Sequence, residues 1–162
     1  MQNIYNDNIP EIVLTQLIFD AEGTGLYFDC TRIWCIVTKD IKEKTVLQYR
    51  PNEVDVALSR LLEADTLIGH NIIGYDIPVF KKLYGWEPRD GQKIIDTYVL
   101  SRLLNPERRG HSIEYWGNLF GVQKPVHEDW SQFSEDMLYR CTQDVNINYR
   151  MYIQLLREMK NV

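Results

Sequence analysis

Leu138, Cys141, Val145, Tyr149, Tyr152, Leu155, Leu156 and Met159 recur at steps of three and four residues. That spacing places them on one face of a single helix from about Ser134 to Met159. A long one-sided stripe is buried against a sheet, so the earlier part of the chain must supply strands. It does. Thr15–Ala21 carries the apolar run Leu17-Ile18-Phe19, and Gly23 and Gly25 then break it. Arg32–Thr38 and Thr45–Tyr49 are apolar and β-branched, and short turns separate the three runs, as in an antiparallel meander. The period then changes. Asn52–Ala64 is helical, Thr66–Gly69 reads as a buried strand, and Ile77–Tyr84 is a helix ended by Gly85. Lys93–Ile95 reads as a brief strand before a helix at Thr97–Leu104. Asn105–Gly110 is a loop, and Ser112 caps a helix to about Phe120. The pattern predicts an α/β fold: a mixed five-stranded sheet, three antiparallel strands and then parallel additions, flanked by helices.

The 162 residues form one domain over 1–162. A net charge of −5 disfavours a broad non-specific coat on nucleic acid, but not acids gathered around metal ions. No window approaches a membrane span, and the start, MQNIYNDNIPEI, has no signal-peptide pattern. Cys30, Cys35 and Cys141 are odd in number and lie at no metal-ligand spacing. They read as buried thiols in a reducing cytoplasm.

Four acids interrupt the apolar pattern. Asp20 and Glu22 end a strand two residues apart, so both project from one face and repel each other. A divalent cation would relieve that repulsion, although two solvated acids at a turn are the plainer reading of this pair alone. Asp76 follows Gly69–Tyr75, just past a buried strand, at the edge where open α/β sheets bind ligands; alone it reads as a helix cap. Asp144 lies inside the closing helix beside the apolar stripe, where a carboxylate needs a cation or a metal as partner.

In this order the acids resemble those of the DEDD superfamily of 3′–5′ exonucleases, on a ribonuclease H-like fold. The resemblance is greatest to the proofreading exonuclease domains of phage family-A DNA polymerases. Leu17–Leu26 (LIFDAEGTGL), Gly69–Asp76 (GHNIIGYD) and Tyr139–Val145 (YRCTQDV) resemble the three exonuclease motifs. Ile95–Leu104 (IDTYVLSRLL) and His111–Gly117 (HSIEYWG) resemble the linking segments of the phage group. The likeness spans about residues 15–158.

The resemblance implies two divalent cations, Mg²⁺ or Mn²⁺. Asp20, Glu22 and Asp144 would hold one, and Asp20 with Asp76 the other; oxygen ligands suit such hard ions. Together they would activate a water and stabilise the leaving 3′-oxygen, releasing nucleoside 5′-monophosphates from single-stranded DNA ends. Thr24, Leu26, Asn71 and Tyr75 match strand-contacting positions of the family, with packing as the other reading of Leu26 and Tyr75. Gly23 stands where many relatives have Thr. The third motif departs from the pattern. The tyrosine branch places its Tyr four residues before the last Asp, where this chain has Arg140, and Tyr139 lies five before. One helical residue is about 100° of rotation, so Tyr139 is not simply the water-orienting tyrosine. Three accounts stand: an irregular helix start lets Tyr139 reach the site, Arg140 takes the position and contacts the scissile phosphate, or the group is absent and the enzyme slow.

His70 and His111 read as packing or loop residues, and His127 has no motif around it. Asp96 reads as a helix cap. Lys81, Lys82, Arg108 and Arg109 read singly as solvated surface, and together as a basic strip for a strand's backbone. Likeness to domains fused to polymerases implies a partner: a separate proofreading subunit of a phage polymerase in the host cytoplasm, or a domain of one. An exoribonuclease trimming short RNA is the near alternative. A non-catalytic module binding nucleic acid or a polymerase is the other.

Overall fold

The computed structural model describes residues 13–162. The reading of the first twelve residues lies outside them. One sheet has five strands: β1 (Gln16–Gly23), β2 (Ile33–Asp40), β3 (Val46–Tyr49), β4 (Thr66–Gly69) and β5 (Lys93–Asp96), in the order β3-β2-β1-β4-β5. The first three pair antiparallel, and β4 and β5 join parallel to β1, as the pattern predicts. The helices are α1 (Val54–Glu63), α2 (Asp76–Tyr84), α3 (Thr97–Leu104), α4 (Ile113–Leu119) and α5 (Glu135–Met159). A 3-10 turn at Pro51–Glu53 takes up the first two residues expected for the first helix.

Strand alternation divides the core. Leu17, Phe19 and Ala21 of β1 face α1 and α2, where Phe19 stacks on Phe80 at 6.0 Å. Ile18 faces the other way, into the layer under Met137, Leu138, Cys141, Val145 and Tyr152 of α5. Asp20 and Glu22 follow Ile18 at the same period of two, so they too point at α5. The strand runs two residues further than the expected end at Ala21, to Gly23, and a register shift between Glu22 and Gly23 turns the chain away. Thus both acids lie within the strand. Ser134 caps α5, its side chain accepting from the Met137 N–H, so the helix begins regularly.

Gly69 ends β4 where a Cβ would strike the Ile72 side chain and come within 3.1 Å of the Phe19 carbonyl. Gly69→Ala is expected to destabilise the fold by about 1–3 kcal/mol, read as a lowered urea midpoint at unchanged slope. An unchanged midpoint would show that this turn has room to spare. No helix among the described residues is long and apolar enough to cross a membrane.

Candidate functional site

Three elements bring the four acids together. Asp20 and Glu22 stand on β1, Asp76 opens α2 beyond the end of β4, and Asp144 faces the sheet from α5. Asp76 and Asp144 are buried, and each leaves its Oδ1 without a hydrogen-bond partner. Asp76 is not the cap of α2: Tyr75 holds that position, and the carboxylate turns inward instead.

Burial of like charges sets the electrostatics. Burial first, then the charge of Asp144, raises Asp20 to about 7. Burial, then Asp20 and Asp144, raises Glu22 to about 9. Asp76 is pushed well up by burial and by Asp20, only partly offset by backbone hydrogen bonds, and burial raises Asp144. Two cations soften the repulsion. Lys124 Nζ lies 2.8 Å from Asp144 Oδ2, and Arg140 Nε lies 3.7 Å from Glu22 Oε1. The cluster retains an excess of acids over bases, a donor set of oxygens and unpartnered buried lone pairs. These residues fit a divalent cation.

From Glu22 a cleft of about 440 Å³ runs past Gly23, Thr24, Gly25, Leu26, Asn71 and Tyr75 to Trp130. All four positions expected to contact a strand therefore line one cleft that begins at a candidate metal ligand. Leu26 is 78% exposed there, so core packing does not account for it. The Tyr75 hydroxyl donates to the Gly25 carbonyl at 2.6 Å, tying the two walls together. Thr24 Oγ1 accepts from the Thr31 N–H at 2.9 Å and shapes its own turn.

At the third motif, α5 begins regularly from its Ser134 cap. Tyr139 is 56% exposed, whereas Arg140 lies inside, donating to the Pro125 carbonyl at 2.7 Å and stacking over Trp130. Three of the four cations of the expected strip have partners of their own. Lys81 pairs with Glu87, and Lys82 donates to the carbonyls of Tyr27, Phe28 and Cys30. Arg108 pairs with Glu158 at 2.6 Å over the Trp116 ring. Thus Arg108 is a structural tie rather than solvated surface, while Lys82 is exposed and also ties down the 27–30 turn. His70 bonds Thr97 and His111 bonds Ser101, as packing residues do.

Asp96 caps α3 through the N–H groups of Tyr98 and Val99, and does more. The same carboxylate accepts from the Asn71 and Ile73 N–H groups at 2.9 and 3.1 Å. It thereby holds the loop carrying Asn71, which sits at a φ of 58°, and Asp76 beyond it. Lys124 and Trp130 were invisible to periodicity, because the segment between Gly121 and Phe133 has no regular structure. Only the packing of that segment across α5 and β1 brings them in.

The fold and the clustered acids define the class: a ribonuclease H-like α/β fold with an acidic centre on its central strand β1. No family model matches the chain. A DNA-directed DNA polymerase of Enterobacteria phage T3 is 26% identical over 190 residues, covering 88% of this chain and 27% of the polymerase. The chain thus spans about a quarter of that curated relative, of which it is a homologue. NrnC of Brucella melitensis has the same fold, with a TM-score of 0.70 at 20% identity over 96% of this chain and 78% of NrnC. NrnC structures with bound Mg²⁺ and bound to pGG superpose equally well, at 0.69 and 0.70. Escherichia coli RNase D, an exoribonuclease involved in structured RNA processing, aligns at 0.65 and 17% identity over 91% of this chain and 40% of its own. These likenesses agree with the resemblance to the DEDD exonuclease superfamily.

Proposed function

We propose that this chain is a two-metal 3′–5′ exonuclease acting on single-stranded DNA ends. The supporting observation is the convergence of four carboxylates, two of them buried with unpartnered oxygens, at the head of a cleft. Asp20, Glu22 and Asp144 would hold one Mg²⁺ or Mn²⁺, and Asp20 with Asp76 the second. When bound, such ions supply positive charge that acidifies a water and stabilises the departing 3′-oxygen. The chain's own residues do the rest. Leu26, Asn71 and Tyr75 seat the last nucleotides and exclude bulk water. Asp96 keeps the Asn71–Asp76 loop in place. Arg140, braced by Pro125 and Trp130, faces the scissile phosphate from beside Glu22. The water oxygen bonds phosphorus and the bond to O3′ breaks. A nucleoside 5′-monophosphate leaves, and the shortened strand keeps a 3′-hydroxyl.

DNA is favoured by homology to a phage DNA polymerase, and with it a proofreading role beside a polymerase subunit. RNA is the second reading, because NrnC is seen with pGG and RNase D is an exoribonuclease. A time course on 5′-labelled DNA and RNA oligomers with Mg²⁺ or Mn²⁺ separates them. A ladder shortening from the 3′ end is expected, faster on DNA; a faster RNA ladder would reverse the preference. No shortening with either metal would leave only a nucleic-acid- or polymerase-binding module.

Arg140→Ala is expected to lower the rate by about 10²-fold, the usual cost of one lost charge-stabilising donor. Tyr139→Phe should stay within about twofold, since that side chain lies outside the acid cluster. If neither change slows hydrolysis, the role given to Arg140 fails. If only Tyr139→Phe does, the tyrosine reaches the site after all.

A further inference from the structure

The acid cluster has a donor that an all-oxygen site lacks. Cys141 Sγ lies 3.4 Å from Asp20 Oδ2, and the nearest donor atoms of Asp20, Glu22 and Cys141 all fall within 4.8 Å of one another. A zinc-class cation sits about 2.3 Å from sulfur and about 2.0–2.2 Å from carboxylate oxygen, so small side-chain rotations bring all three donors to one ion. A second observation points the same way. Asp144 is one helical turn beyond Cys141 on the same face of α5, 6% exposed, with its Oδ1 unpartnered. Its Oδ2 is held by Lys124 Nζ at 2.8 Å, which leaves Oδ1 alone without a partner. Cys35, opposite Glu22 across the β1–β2 pair, is buried in the same layer but lies outside this donor group.

We propose that Asp20, Glu22 and Cys141 form a mixed oxygen–sulfur site for a thiophilic divalent cation of the zinc class, which competes there with Mg²⁺ or Mn²⁺. The proposal rests on the metal-centre reading above and adds the thiolate to it. Hard ions gain little from sulfur, whereas Zn²⁺, Co²⁺ and Cd²⁺ gain much. On binding, the S–H bond breaks, the sulfur bonds the cation, and the proton leaves to solvent. An ion so held would occupy the carboxylates that hydrolysis needs.

Co²⁺ titrated into the metal-free full chain, followed by absorption, tests this. A near-ultraviolet thiolate-to-cobalt charge-transfer band is expected in the wild type and in Cys35→Ser, and is lost in Cys141→Ser. Zn²⁺ affinity should fall at least about tenfold in Cys141→Ser, while the Mn²⁺-induced rise in melting temperature persists. That retained rise also shows that the variant folds, and Cys141→Ala provides a second check. Cobalt binding without the band, or a band lost only in Cys35→Ser, overturns the sulfur ligand and leaves the oxygen site standing. No binding of Mn²⁺ or Co²⁺ at all overturns both.

Discussion

Asp20→Ala combined with Glu22→Ala should reduce metal-dependent hydrolysis by at least about 10³-fold, because several kcal/mol of transition-state charge stabilisation disappears with the ligands. The two acids are on β1 under α5, and the cleft begins at Glu22. Activity surviving the double change would mark a contaminating nuclease or a misplaced site. The isosteric pair Asp20→Asn with Glu22→Gln separates chemistry from folding. It should be equally inactive, yet more stable than the wild type at pH 8 without metal, since it removes buried like charges while keeping the side-chain volume. Loss of stability instead would mean that these carboxylates are held by favourable contacts.

The metal-free protein should lose stability as pH rises, and Mn²⁺ should restore it. Asp20 is raised from the usual 3.8 to about 7, and Glu22 from 4.5 to about 9. Both are therefore more protonated folded than unfolded above about pH 4. The sign follows: stability is full below the unfolded values and falls as pH climbs through 7 and then toward 9. A cation that binds only the folded carboxylates opposes the fall. At about 100 times its dissociation constant it contributes about 2.7 kcal/mol, or roughly 5–10 °C in melting temperature for a chain of this size. Thermal melts at pH 5.5 and pH 8, with and without millimolar Mn²⁺, read both effects. The shift should be larger at pH 8, where protons compete less. A melting temperature indifferent to pH and to Mn²⁺ would contradict a carboxylate centre.

Much of the architecture is legible without coordinates because it rests on local periodicity. Alternation along Leu17–Glu22 places Asp20 and Glu22 on the face opposite Phe19, and the three-and-four spacing after Ser134 places Asp144 beside the sheet-facing stripe. Boundaries were less legible. The first strand continues through Glu22 to Gly23 because pairing with β2 continues past its apolar run.

By itself the sequence determined the strands, the helices, and which acids share a face, since side-chain direction follows from backbone period alone. The tertiary structure alone decided what those acids meet. Lys124 on Asp144 and Trp130 in the cleft come from an aperiodic segment whose path no local rule predicts. Asp96 reaches Asn71 and Ile73 across 25 and 23 residues, through parallel pairing of β4 with β5. Arg140 rather than Tyr139 lies beside Glu22 because burial of Leu138, Cys141 and Val145 against the sheet fixes the rotation of α5 and leaves Tyr139 in solvent. Cys141 reads in sequence as one more apolar stripe residue. Only the close seating of α5 over β1 puts its sulfur against Asp20, where contact distance rather than residue pattern sets the chemistry.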